Sequence, residues 1–95
     1  MPKRTSADNR LKVVIVTLDH HLASAVARVN AKLARVIPGF SLTLHAASEW
    51  SARPATLEAC IEDLNSATIV IANMLFMEEH VNAVLPTLEA NRDKY

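Results

Sequence analysis

Lys12-Val13-Val14-Ile15-Val16-Thr17-Leu18-Asp19-His20-His21 is a run of apolar, mostly β-branched residues that breaks off into three groups able to handle protons or metal. It lacks the polar alternation of a strand with one wet face, and so reads as the first strand of a parallel α/β sheet covered on both sides. In such sheets the ligand crevice lies outside the carboxyl ends of the strands. Asp19, His20 and His21 are therefore expected at the functional rim.

Upstream of this run, residues 1–10 are polar and read as a loose, flexible tail, leaving 11–95 as one α/β domain segment. Strand one spans Leu11 to Leu18. Asp19 is then expected to cap a helix whose apolar positions Leu22, Val26, Val29, Leu33 and Val36 or Ile37 recur at three and four residues, ending at Pro38-Gly39. Phe40, Leu42, Leu44 and Ala46 alternate with Ser41, Thr43 and His45, the pattern of a half-exposed edge strand with His45 near its carboxyl end. Residues 47–53 form a loop carrying Glu49 and Trp50, and Pro54 suits the first turn of a second helix. Leu57, Cys60 or Ile61, and Leu64 mark its inner face, and it stops near Asn65-Ser66.

Strand three, Thr68-Ile69-Val70-Ile71-Ala72, is apolar throughout, which predicts cover on both faces and a further strand beside it. A third helix starts around Glu78, with Val81, Val84 or Leu85, and Leu88 inward, and Pro86 predicts a kink or restart within it. Right-handed crossovers and the half-polar second strand select the order 2-1-3, with strand one central. The result is a three-stranded parallel sheet with three helices. It is expected to be an incomplete flavodoxin-like or Rossmann-like fragment, the opening piece of a larger domain, whose bare strand edge favours dimerisation.

Composition narrows the function classes. Of 95 residues, 51% are hydrophobic, enough for one small core. Ten basic and ten acidic residues cancel and neither sign forms a long run, which removes the electrostatic footprint of a nucleic-acid binder. No apolar run approaches the roughly 20 residues of a membrane span, and the polar start lacks a signal-peptide centre, so a cytoplasmic protein is expected. Cys60 is the only cysteine, reads as a buried small hydrophobe, and leaves no internal disulfide to form.

Order 2-1-3 sets the ends of strands one and three side by side. Asp19, His20 and His21 would then face Asn73, Glu78, Glu79 and His80, with His45 and Glu49 on the other flank. Imidazole and carboxylate groups are the usual ligands of divalent ions, which makes Glu78 and His80 metal candidates, although the spacing fits no ligand motif. Acids in a first helical turn are also favoured by the helix dipole alone. The single glycine, Gly39, follows a helix, so there is neither a dinucleotide fingerprint nor a P-loop. A phosphorylated receiver would need an aspartate where Ala72-Asn73-Met74 stand. Asp19-His20-His21-Leu22-Ala23-Ser24 resembles the Asp-x-His-x-x-Gly of cobalamin-binding domains, with Ser24 in place of glycine. Met74, Leu75, Phe76 and Met77 form an apolar cluster past a strand end, suited to a covered interface, a flat apolar ligand or a partner protein. Trp50 has the same readings, as an interface residue or ligand lid.

Three stretches carry a further resemblance: Val-Val-Ile-Val-Thr-Leu-Asp at 13–19, His-Ala-Ala-Ser-Glu-Trp at 45–50, and Ala-Asn-Met-Leu-Phe-Met-Glu-Glu-His at 72–80. With them the chain resembles the amino-terminal segment of the large, porphyrin-binding subunit of magnesium chelatase, of the bacterial bacteriochlorophyll-pathway type. That resemblance implies an ATP-dependent enzyme, a ligase forming nitrogen–metal bonds, that inserts Mg²⁺ into protoporphyrin IX. It implies as partners the rest of the large subunit, two smaller subunits, one of them an AAA+ ATPase, and the porphyrin. No catalytic residue is carried onto this chain. Asp19, His21, Trp50, Asn73 and Phe76 are the rim candidates for binding. The other readings are a cobalamin-type tetrapyrrole-binding module and a non-catalytic protein-interaction domain.

Overall fold

The structure, a computed structural model, describes residues 11–75 and 77–95. The tail expected over residues 1–10 and the candidate Phe76 lie outside them. The element order is β1 (Leu11–Thr17), α1 (Ala23–Val36), β2 (Phe40–Ala46), a 3-10 turn (Ala47–Glu49), α2 (Pro54–Ser66), β3 (Ile69–Ala72) and α3 (Glu78–Ala90). All three strands are parallel, in the order β2-β1-β3, as the apolar run of β1 and the alternation of β2 predict. Val13 pairs with Leu42 on one side and Ile69 on the other, and Ile15 with Leu44 and Ile71. These pairings fix which side chains share a face.

Nearly all the core lies on one face. Val14 and Val16 of β1 pack there with Cys60 and Leu64 of α2, Val84 of α3, Ala47, Trp50 and Ala67, and Leu57, Val70, Leu75 and Leu88 pack around them. Val14, Cys60 and Leu64 have no exposed surface. Each fully buried aliphatic side chain of this kind stabilises by about 1.5–3 kcal/mol.

The opposite face is covered differently. Helix α1 packs on β2, and Asn30 Oδ1 accepts the Leu42 backbone N–H at 2.8 Å. No residue of α1 is buried; Val29 and Val36 are exposed. Because α1 sits over β2, β3 is left bare on that side. Ile69 is 44% and Ile71 47% exposed, so within this chain β3 lacks the cover that its apolar run predicts. Continuous apolar sequence records a strand that tolerates burial, not the presence of its cover.

Two further expectations change. Asp19 does not cap α1: the helix starts after Leu22 with no side-chain cap, because Asp19 turns its carboxylate to the His21 backbone N–H at 3.1 Å. Helix α3 does not restart at Pro86 but runs through it. The missing proline N–H leaves the Asn82 carbonyl without its usual donor. Its far end is tied down instead, since buried Asn91 donates through Nδ2 to Asn65 Oδ1 and to the Thr87 carbonyl, both at 2.8 Å, and Tyr95 donates its hydroxyl hydrogen to the Leu64 carbonyl at 2.6 Å.

Among the described residues, Gly39 and Met74 take positive φ. Gly39, at 80°, makes the turn from α1 into β2, where a glycine meets no steric penalty. Met74, at 59°, has a Cβ, and the left-handed region costs such a residue about 1–2 kcal/mol. It stands where the chain leaves β3 for the rim.

Candidate functional site

The carboxyl ends of the strands do form a rim. The Asn73 amide donates to the Val16 carbonyl at 2.9 Å and the Ser48 amide to the Leu18 carbonyl at 2.9 Å, which hold the exits of β3 and β2 against that of β1. The charged side chains of this rim resolve into two local pairs. His21 Nδ1 and the backbone amide of His21 both meet Asp19 Oδ1. The side-chain hydrogen bond from His21, then the backbone one, holds the Asp19 carboxyl below its ordinary value. His20 Nε2 lies 2.6 Å from Glu49 Oε2, linking the end of β1 to the 3-10 turn. Both pairs are largely solvent-exposed, so water screens them and each adds little to stability.

The predicted single cluster is therefore not assembled. Among the described residues no hydrogen bond or ion pair joins Asp19, His20 or His21 to Asn73, Glu78, Glu79 or His80. Nor do three His, Cys, Asp or Glu side chains among them converge on a common point. Glu78 and Glu79 occupy the first turn of α3, where the helix dipole favours them. A Mg²⁺ ion wants several oxygens in octahedral array, and the described residues do not gather such a set.

His45 is also placed differently. Its side chain, 12% exposed, faces α2, where Nε2 lies 2.6 Å from Asp63 Oδ2. Asp63 Oδ1 receives Lys12 Nζ at 2.9 Å, and the same ammonium donates to Ser66 Oγ at 2.6 Å. Burial by itself raises the Asp63 carboxyl, but hydrogen bonds from Lys12 and His45 outweigh it and hold the group below its ordinary 3.8. The carboxylate can only accept, so His45 carries its proton on Nε2. This network fastens α2 to the sheet and is not part of the rim. Neither Asp63 nor Asn91 is legible as important from spacing, since both look like ordinary polar positions on a helical surface.

Trp50 corrects the reading of a loop residue at an interface or lid, because it is 6% exposed and belongs to the core. Its ring meets that of His80 edge to face, with centroids 5.7 Å apart and planes at 82°. Trp50 Nε1 and His80 Nδ1 are both buried without a hydrogen-bond partner among the described residues. An unpaired buried donor of this type costs about 1–3 kcal/mol. The two side chains line a partly open recess of about 190 Å³ together with Ser51, Leu57, Glu79 and Ala83.

The apolar exit of β3 divides. Leu75 packs on the core, whereas Met74 and Met77 remain exposed. Cys60 is fully buried and unbonded, as expected of a small hydrophobe, and desolvation, with Asp63 nearby, pushes its thiol up to about 12. No helix among the described residues is long and apolar enough to cross a membrane.

Comparison with known proteins bears out the resemblance drawn from residues 13–19, 45–50 and 72–80. Over 82 residues, 86% of this chain and 7% of the relative, the sequence is 50% identical to the H-type magnesium-chelatase subunit of Cereibacter sphaeroides. Over 93 residues, 98% of this chain and 8% of the relative, it is 42% identical to the corresponding H-type magnesium-chelatase subunit of Rhodobacter capsulatus. The chain thus spans only 7–8% of the length of the curated relatives it matches. No solved structure matches it. Residues 12–95 match the family model described as domain of unknown function DUF3479, and the chain belongs to that family.

Proposed function

We propose that this chain acts as a non-catalytic α/β segment of the large, porphyrin-handling subunit of a magnesium chelatase. In that role it contributes to ATP-dependent insertion of Mg²⁺ into protoporphyrin IX, towards bacteriochlorophyll or chlorophyll, in the cytoplasm. The observation that carries this reading is the 50% identity over 82 residues to an H-type magnesium-chelatase subunit. Its partners would be the rest of the large subunit and the two smaller subunits, one supplying the ATPase.

The geometry favours docking over chemistry. Asp19 and Glu49 are already engaged by neighbouring histidines, and no step of metal insertion is routed through this segment. Ile69 and Ile71 instead offer an apolar strip along β3, with Met74 and Met77 exposed beyond its end. More than nine-tenths of each relative lies outside the matched stretch, and large-subunit chain of that kind is the occupant we propose for the strip. Ile69→Lys with Ile71→Lys in a full-length large subunit is expected to abolish stable assembly with the smaller subunits or to leave the subunit prone to proteolysis. Asp19→Ala with His21→Ala should leave chelation unchanged. Normal assembly and protease resistance of the Ile69/Ile71 variant would defeat the docking role.

One observation favours a second reading. Asp19 backs His21 at Nδ1, an arrangement that fixes the imidazole tautomer and leaves Nε2 for another partner, as metal-ligating histidines commonly require. A cobalamin-type tetrapyrrole module would use His21 in that way. Titration tests the second reading: a cobalamin spectral change supports it, a Soret shift with a soluble porphyrin adds porphyrin contact to the chelatase reading, and neither change leaves the docking role standing.

A further inference from the structure

Charge divides across the sheet. Helix α1 carries Arg28, Lys32 and Arg35 and no acid, whereas α2 and α3 carry Glu58, Glu62, Asp63, Glu78, Glu79 and Glu89 and no lysine or arginine. The three α1 cations are exposed, and no ion pair reaches them among the described residues. Val26, Asn30 and Leu33 form the half-buried stripe of this helix, and Asn30 holds the Leu42 amide of β2. At about 3.6 residues per turn, Leu22, Val29 and Val36 fall on one flank of that stripe and Ala27, Ala31 and Ala34 on the other. A right-handed β1-α1-β2 crossover turns the first flank towards β1 and β3. Its three side chains are exposed. Lys32 borders that flank, with Arg28 and Arg35 farther round the helix.

Beside this flank lies the bare part of the sheet, where Val13 and Ile15 of β1 stand in register with Ile69 and Ile71 of β3. Because α1 packs on β2, two strands are left without a helix among the described residues. At the usual strand spacing that is a width of about 10 Å, the diameter of one α-helix.

We propose that this trough seats one amphipathic helix from the remaining chain of the large subunit. Its apolar face lies on Ile69, Ile71 and the Leu22, Val29 and Val36 flank, and its edge beside α1 carries Asp or Glu paired with Lys32, Arg28 and Arg35. This seat rests on the docking role proposed above and gives its occupant a chemistry. Charge complementarity selects an acidic edge, since a basic one would face three like charges. A second folded copy offers no such helix, because its acidic α2 and α3 have already turned their apolar sides to the core. A bilayer is the poorer match: α1 has no aromatic residue to insert, and its apolar flank faces across the sheet.

A carbodiimide joins a lysine amine to a touching carboxylate through an amide bond, taking up the water released as a urea. In the full-length large subunit, peptide mapping is expected to find Lys32 joined to an Asp or Glu of the same subunit outside residues 1–95. Lys32→Arg should lose that adduct and keep assembly with the smaller subunits. Arg28→Glu, Lys32→Glu and Arg35→Glu together should speed hydrogen exchange of the α1 amides by roughly tenfold. Lys32 left uncoupled, coupled only within residues 1–95, or coupled to a smaller subunit overturns the proposal. So does unchanged exchange in the triple variant, or capture of wild type but not the triple variant by phosphatidylglycerol vesicles. If Ile69→Lys with Ile71→Lys breaks assembly while Lys32 stays uncoupled, the helix falls and the docking role stands. Normal assembly and protease resistance of that double variant remove both.

Discussion

His45 on β2 and Asp63 on α2 are joined by a 2.6 Å hydrogen bond, and the same carboxylate receives Lys12 of β1 at 2.9 Å. One side chain thus ties a helix to two strands from a partly buried position. Asp63→Ala leaves His45 Nε2 without its acceptor and Lys12 with Ser66 alone, and is expected to destabilise by about 1–3 kcal/mol, read from urea unfolding at neutral pH.

The same carboxylate sets a pH dependence. Its folded value is depressed below 3.8 by the net effect of burial, which opposes ionisation, and of the stronger hydrogen bonds from Lys12 and His45. A depressed carboxyl contributes stability that is present above its unfolded value and lost as the pH falls through its folded one. Wild-type protein should therefore lose stability below about pH 4 more steeply than Asp63→Asn, in parallel urea titrations.

Cys60 acts at the other end of the scale. Desolvation, with Asp63 nearby, pushes the thiol from 9.0 up to about 12, so the stability it contributes is complete below about pH 9 and is lost as the pH rises towards 12. Near neutral pH the native protein should resist a thiol-specific reagent such as Ellman's, while protein in strong urea reacts promptly. Fast labelling of the folded state would contradict the burial of this residue.

Leu64 sits in the middle of the covered face with no exposed surface. Leu64→Ala leaves a cavity between α2 and β1 and is expected to cost about 2–5 kcal/mol. Val29→Ala on α1, where the side chain is 44% exposed, should cost well under about 1 kcal/mol. The contrast, measured by thermal unfolding of both variants, tests how one-sided the core is.

In isolation the strip along β3 is expected to bring two copies together. Light scattering after size exclusion should show a concentration-dependent dimer, and Ile71→Lys should shift it towards monomer. A monomer at millimolar concentration would count against an adhesive strip.

Much of this architecture can be read from residue patterns, and the failures have identifiable causes. Apolar β1, alternating β2, Pro54 at the start of α2 and the glutamates opening α3 each carry a local signal, and with right-handed crossovers they lead to the order β2-β1-β3. Periodicity also marks Leu64 as inward, and narrows helix three to Val84 or Leu85, of which Val84 is the buried one. What it does not carry is the identity of a distant partner. His45 alternates correctly, yet nothing near it in sequence points to Asp63 on the following helix. Trp50 looks like a loop aromatic because its burial depends on α3, whose packing is fixed by contacts far along the chain. Asp19 has the chemistry of a cap, but a histidine two residues later competes for the same oxygen. The rim reads in sequence as one constellation; it divides into two pairs because each acid finds a closer imidazole than the one across the sheet.

The lopsided core gives the molecule two tiers of cohesion. Helix α1 contributes no buried side chain, while α2, β1 and α3 share a continuous hydrophobic centre. Amide protons of α1 should accordingly exchange through small, local openings, and those of β1 and α2 only when the whole body comes apart. A surface that clasps α1 would therefore do more than add contact area, for it would recruit a loosely held helix into the cooperative unit and make docking and local stiffening a single event.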